Sequence, residues 1–188
     1  MANGKVKGNS YERAISRKLS LWISNNERDD LFWRTQGSGG RHTVRYKSNL
    51  TLEGQAGDIS STQGGISENF LKFFCVEVKF YKDINIWAII TKSKNGLLDF
   101  WDQATLKAKQ VNRIPILIVK ENYKPALFIS NEVFEKMLVE NFKEKPELKV
   151  NLFNSDSISV WKLDTIMKLN SEKFMVSLIR WEKEWKES

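Results

Sequence analysis

The residues able to do chemistry in this chain are few and mostly acidic. Glu77 and Lys79 lie inside the apolar run FLKFFCVEVKF, residues 70–80. In an extended strand successive side chains alternate between faces, so Glu77 and Lys79 share one face while Val76, Val78 and Phe80 take the other. Two charges within an apolar strand are expensive unless paired or bound to a ligand. The pattern fits either a structural Glu77–Lys79 pair on a half-wet strand or a functional carboxylate and ammonium. Asp58 follows Gly57 at the start of a short strand, 19 residues before Glu77. A turn between adjacent strands would bring the two carboxylates together. Convergent carboxylates repel each other, and a divalent cation relieves that repulsion; oxygen ligands suit Mg²⁺, with Mn²⁺ able to substitute. An isolated Gly-Asp pair also reads as an Asx turn. Glu12 has two readings as well: Asn9-x-x-Glu12 has capping-box spacing, and a third acidic group could reach a metal site.

The elements that must position these groups follow from periodicity. Tyr11, Ala14, Ile15, Leu19, Trp22 and Ile23 recur at helical spacing and predict a first helix over 10–24, with Asn9 as its N-cap. A short strand over 30–34 runs into the glycine-rich loop Gly37-Ser38-Gly39-Gly40. The run 70–80 predicts a buried strand at the centre of the sheet. A helix over 97–111 follows, with Leu97, Leu98, Trp101, Ala104, Leu106 and Ala108 towards one side and Lys107 and Lys109 on a polar outer face. Strands over 114–119 and 127–129 and a helix over 131–142 come next. Residues 158–163 could pair with the sheet, and 174–185 reads equally as strand or helix. The fold class expected is α/β, with a central mixed β-sheet flanked by helices. Residues 1–130 form the core, and 131–188 form an extension packed on the same domain.

Composition limits the chemistry further. The 188 residues are 41 % hydrophobic and 28 % charged, enough for a buried core and unlike a disordered chain. No apolar run reaches the roughly 18 residues of a spanning helix, and the opening residues lack a secretory signal, so a cytoplasmic, non-membrane protein is expected. A single cysteine, Cys75, and a single histidine, His42, rule out an internal disulfide and a zinc site built on either residue type. Most of the seven Trp are expected in the core or a dimer interface. The net charge of +7 is concentrated: residues 1–50 carry ten Lys and Arg against four acids, and residues 131–188 are slightly acidic. A polyanion is the partner this favours, because Lys and Arg gain affinity by releasing counterions from nucleic acid.

Glu12, Gly57-Asp58 and Glu77-Val78-Lys79, in this order and in a helix-strand-strand-helix-strand context, resemble the PD-(D/E)XK nuclease superfamily over roughly residues 7–130. Within it the chain is similar to archaeal-type Holliday junction resolvases, through Lys7-Gly8, Glu12, Arg34 and Gly37-Ser38-Gly39. Gly57 stands where that superfamily has proline, and residues 41–55 read as an insertion. The resemblance implies a restriction-endonuclease-like core and a catalytic set of Glu12, Ser38, Asp58, Glu77 and Lys79, with Gln103 in support. Metal would be held by Glu12, Asp58 and Glu77. Lys5, Lys7, Arg34, Arg41, Arg45 and Lys47 would track the DNA backbone. The function expected is a Mg²⁺-dependent endonuclease cutting branched DNA, four-way junctions above all, as a homodimer, in a host cytoplasm if virus-encoded. The alternatives are a restriction-like or repair nuclease of the same fold and a non-catalytic nucleic-acid-binding protein.

Overall fold

A stripe of apolar side chains folds Gly4–Ile23 into helix α1, with Ile15, Leu19, Trp22 and Ile23 buried at three- and four-residue spacing. The computed structural model describes residues 4–35, 56–62, 64–84, 96–152 and 157–186. The helix begins earlier than its periodicity predicts, so Asn9 is an interior residue and not a cap. It stops where Asn25 and Asn26 adopt left-handed φ angles of 53° and 68°, a conformation asparagine tolerates better than most residues. The buried Ser20 hydroxyl donates to the Ser16 carbonyl and accepts the Phe32 amide at 2.9 Å, which ties the next strand to the helix.

That strand is β1 (Phe32–Arg34), antiparallel to β2 (Ile59–Ser61) in a two-stranded sheet. A glycine turn then leads into helix α2 (Ile66–Phe73), which passes directly into β3 (Phe74–Tyr81). The sequence reading assigned residues 70–73 to the strand. They are helical because Ser67, Phe70, Leu71 and Phe73 bury one face of a short amphipathic turn, a pattern that merges with the strand's own apolar run. Helix α3 (Leu97–Gln110) crosses over to β4 (Ile114–Glu121), which lies parallel to β3 with Glu77 opposite Leu117. Strand β5 (Leu127–Asn131) follows. Helix α4 (Glu132–Phe142) is capped by Asn131, whose side chain accepts the Phe134 amide.

The chain ends with β6 (Leu148–Asn151), β7 (Ser157–Lys162), the short α5 (Leu163–Met167) and α6 (Ser171–Lys186). The 174–185 segment is therefore helical. Among the described strands the main sheet has the order β3-β4-β5-β7-β6, mixed in direction, with β3 at its edge and not at its centre. Burial on both faces could not reveal this, since both an edge and a central strand can be covered above and below.

Alternation along β4 sorts the core into two layers. Ile116 and Ile118 face α1, α4 and α6, in a cluster that holds Phe70, Phe74, Phe134, Trp161 and Phe174. Leu117 and Val119 face α3 with Leu97, Trp101 and Ala104. Leu106, expected on the inner side of that helix, is exposed instead.

Candidate active site

The site forms around the outer edge of β3, where three elements meet. On the α3 side, Ala56, Cys75 and Ala108 pack together; such small side chains let the helix approach the strand closely. Lys107, one residue before Ala108, places its Nζ 2.5 Å from Glu77 Oε1. Glu77 is fully buried. Its Oε2 lies 3.4 Å from Lys79 Nζ, an ion pair without hydrogen-bond geometry, and has no hydrogen-bond partner. Lys79 also lies over the Phe100 ring, 5.8 Å from its centroid.

Asp58 reaches the same strand from its open edge. Its amide donates to the Val76 carbonyl at 2.7 Å, and its Oδ2 accepts the Val78 amide at 2.9 Å. This close approach explains Gly57. Its φ is +85°, and a Cβ there would lie 2.5 Å from the Val76 carbonyl oxygen. A proline, fixed near φ −65°, could not adopt this backbone. The departure from the expected motif is thus what seats Asp58 against β3.

Glu12 comes from α1 and forms a hydrogen-bonded ion pair with Arg34 of β1, both partly buried. Because Asn9 is inside the helix, the capping-box reading of Glu12 does not hold. Burial raises the Glu12 carboxyl above its usual range, and the Asp58 charge adds to this against the pull of Arg34 and Lys79. Burial, then the Asp58 charge, pushes Glu77 up to about 7 in spite of Lys107 and Lys79. Lys107 responds oppositely: burial disfavours its charge, but Glu77 and Asp58 outweigh that and raise it. The neighbouring Cys75 thiol is pushed up to about 12, chiefly by burial, which leaves it a packing residue.

The structure thus brings together Asp58, Glu77 and Lys79, with Glu12 and Arg34 beside them. Among the described residues, no group of three His, Cys, Asp or Glu side chains could hold a metal ion. The donors that fit a hard cation are the Asp58 and Glu77 carboxylates, and Mg²⁺ takes one or two carboxylates while keeping several waters. The buried Glu77 Oε2, which makes no hydrogen bond, is the observation that fits such an ion. Gln103 is exposed on α3. Lys7 spends its Nζ on the Asn122 side chain at 2.6 Å and on the Phe80 ring. Ser38, Arg41, Arg45 and Lys47 lie outside the described residues, as does the side chain of Lys5.

Lys107 was missed by sequence reasoning, which placed it on the solvent face. The available signal was its position three residues after Ala104 and one before Ala108, on the margin of a small-residue stripe that must lie close to a strand.

No solved structure matches the chain. Among curated proteins it is 32 % identical over 99 residues to Protein D14 of Escherichia phage T5, covering 51 % of this chain and 54 % of that protein. The chain thus spans about half the length of the curated relative it matches. A family profile described as "Phage putative PDDEXK endonuclease" matches residues 3–176. With nearly its whole length inside that profile and an α/β fold carrying Asp58, Glu77 and Lys79 at one strand edge, the chain belongs to this PDDEXK endonuclease family.

Proposed function

We propose that the chain is a divalent-metal-dependent endonuclease that hydrolyses phosphodiester bonds in branched DNA, four-way junctions in particular, as a two-fold homodimer. The observation that carries its metal-dependent nuclease part is the fully buried Glu77 carboxylate, one oxygen of which has no hydrogen-bond partner, next to the Asp58 carboxylate; the junction and the dimer rest on the resemblance to junction resolvases. Asp58 and Glu77 would hold the ion, Mg²⁺ or Mn²⁺. When bound, the ion supplies a more acidic water and charge stabilisation at the leaving oxygen.

The remaining work belongs to side chains. Lys79, partly exposed, faces the scissile phosphate and positions the attacking water. Glu12 holds Arg34 at the mouth of the site, where the guanidinium meets the DNA backbone. By the resemblance, Ser38 serves the phosphate, and Arg41, Arg45, Lys47 and Lys5 serve the DNA backbone. Gln103 supports the substrate from α3. Symmetric cutting of a branch needs two sites in fixed relation, which two copies of the chain supply.

Incubation with four-way, flapped and linear duplex DNA, in Mg²⁺ and in EDTA, tests the proposal. Cleavage in Mg²⁺ alone, fastest on the junction, with a solution mass of two chains, is the expected result. No cleavage of any substrate in Mg²⁺ or Mn²⁺ overturns the nuclease reading. Equal cutting of linear duplex, or a monomer, moves the assignment to a restriction-like or repair nuclease.

A further inference from the structure

On the outer side of α1, a cavity of about 300 Å³ opens between the helix and β1. Arg13, Arg17, Asp29, Phe32, Trp33 and Arg34 line it. Burial along β1 alternates, so Phe32 enters the core and Trp33 turns outward with 53 % of its surface exposed. Among the described residues, no hydrogen bond or ring contact holds the Trp33 indole and no carboxylate pairs with Arg13, whereas Arg17 pairs with Asp29 at 2.9 Å. The cavity thus presents a free aromatic face, a free guanidinium and an excess of positive charge. Its volume is at the lower end of the range for ligand sites, about 300–1,000 Å³. Arg34 lines the cavity and also holds Glu12, so cavity and active site share a wall.

An aromatic plane beside guanidinium groups matches the two halves of a nucleotide, a base that stacks and a phosphate that accepts charged hydrogen bonds. We propose that this cavity takes one unpaired nucleotide of the DNA strand being cut, with its base against Trp33 and its phosphate on Arg13. The inference rests on the nuclease reading and narrows its substrate. In a paired duplex each base is covered by its stacked neighbours and is costly to extrude, so Trp33 favours a base already freed at a flap, a gap or an opened branch point. The cavity then selects DNA that carries such a nucleotide close to the scissile bond.

The test is binding, measured by fluorescence anisotropy in EDTA so that no cleavage is needed. The probes are a single strand, a flapped duplex and a fully paired duplex of the same sequence. Wild-type protein should favour the single strand and the flap. Trp33→Ala should weaken both by about tenfold and leave duplex affinity within about twofold. Trp33→Phe, which keeps an aromatic face, should restore most of the loss, and Arg13→Ala should weaken the same two probes. Thermal melting of each variant excludes unfolding, to which an exposed Trp33 should contribute little. An equal loss on all three probes, or no loss with Trp33→Ala, overturns the proposal. The nuclease reading fails separately: wild-type protein that cuts nothing in Mg²⁺ while keeping the Trp33-dependent preference leaves the nucleotide site standing and removes the hydrolysis.

Discussion

The Asp58 carboxylate accepts the Val78 backbone amide at 2.9 Å, a bond that a carbonyl of an adjacent strand would otherwise make. One side chain therefore completes the backbone pairing of β3 and presents charge next to Glu77, so the two roles can be separated by substitution. Asp58→Asn keeps a carbonyl oxygen for Val78 and removes the charge. It should abolish cleavage in Mg²⁺ with DNA affinity and urea midpoint close to wild type. Asp58→Ala should lose activity and also about 1–3 kcal/mol of stability, because the Val78 amide is left buried and unpaired. Cleavage and urea melts on both variants check this, and full activity in Asp58→Asn would remove the metal assignment.

Lys107 gives the Glu77 carboxylate its shortest ion pair. Removing one partner of a buried pair leaves an uncompensated charge, at a cost of about 3–5 kcal/mol. Lys107→Met should show a loss of this order at about pH 8 in EDTA, and a smaller one near pH 5, where Glu77 takes up a proton. Saturating Mg²⁺ should recover much of the loss, since the ion supplies the missing positive charge. Urea melts with and without metal are the measurement; a loss unchanged by pH and metal would reduce Lys107 to a packing residue.

Glu77 itself gives a pH dependence of definite sign. Its carboxyl sits at about 7 in the folded protein against 4.5 ordinarily, because burial and the Asp58 charge disfavour ionisation. Between those values the native state keeps a proton that the unfolded chain has released. Stability of the metal-free protein therefore falls as pH rises through that window and levels off above about 7. The fall should be absent from Glu77→Gln, whose side chain does not titrate. Unfolding free energies of the two proteins in EDTA, compared from about pH 5 to about pH 8, should differ in slope by an amount corresponding to roughly one proton.

Gly57→Ala should be disproportionately harmful for one added methyl group. The residue would keep a φ of +85° and place Cβ 2.5 Å from the Val76 carbonyl oxygen. Strain of this kind costs about 1–3 kcal/mol, or the Gly57-Asp58 segment moves off the strand. Either result lowers the melting temperature, and the second also removes cleavage. An unchanged melt with full activity would show that the segment has room to adjust.

Much of this arrangement is legible in the residues. Helix α3 and the helix after Asn131 fall within about a residue of where their periodicity places them, and β4 starts at the expected residue and runs two further, because each is bounded by Gly, Asn or a change in period. The order of Glu12, Asp58, Glu77 and Lys79 points to one site because charged residues inside an apolar strand demand a reason. The boundary between α2 and β3 is not legible, since Phe70 to Phe80 is apolar in either conformation. Nor is the edge position of β3, which depends on which segment supplies the neighbouring hydrogen bonds. Lys107 is hidden for a third reason: helical spacing places it beside the buried stripe, but only the approach of α3 to β3 over Cys75 and Ala108 brings it to Glu77.

The placement of Asp58 has a consequence for solubility. An edge strand with open amides and carbonyls is a template for pairing with another chain, and proteins blunt such edges in various ways. At one margin of this sheet, β6 is only four residues long and alternates towards solvent. At the other, the Gly57-Asp58 segment occupies the Val76 carbonyl and the Val78 amide. The residue proposed to hold the metal is thus also the guard against strand addition, so a variant that releases this segment uncovers an adhesive margin as well as losing its chemistry.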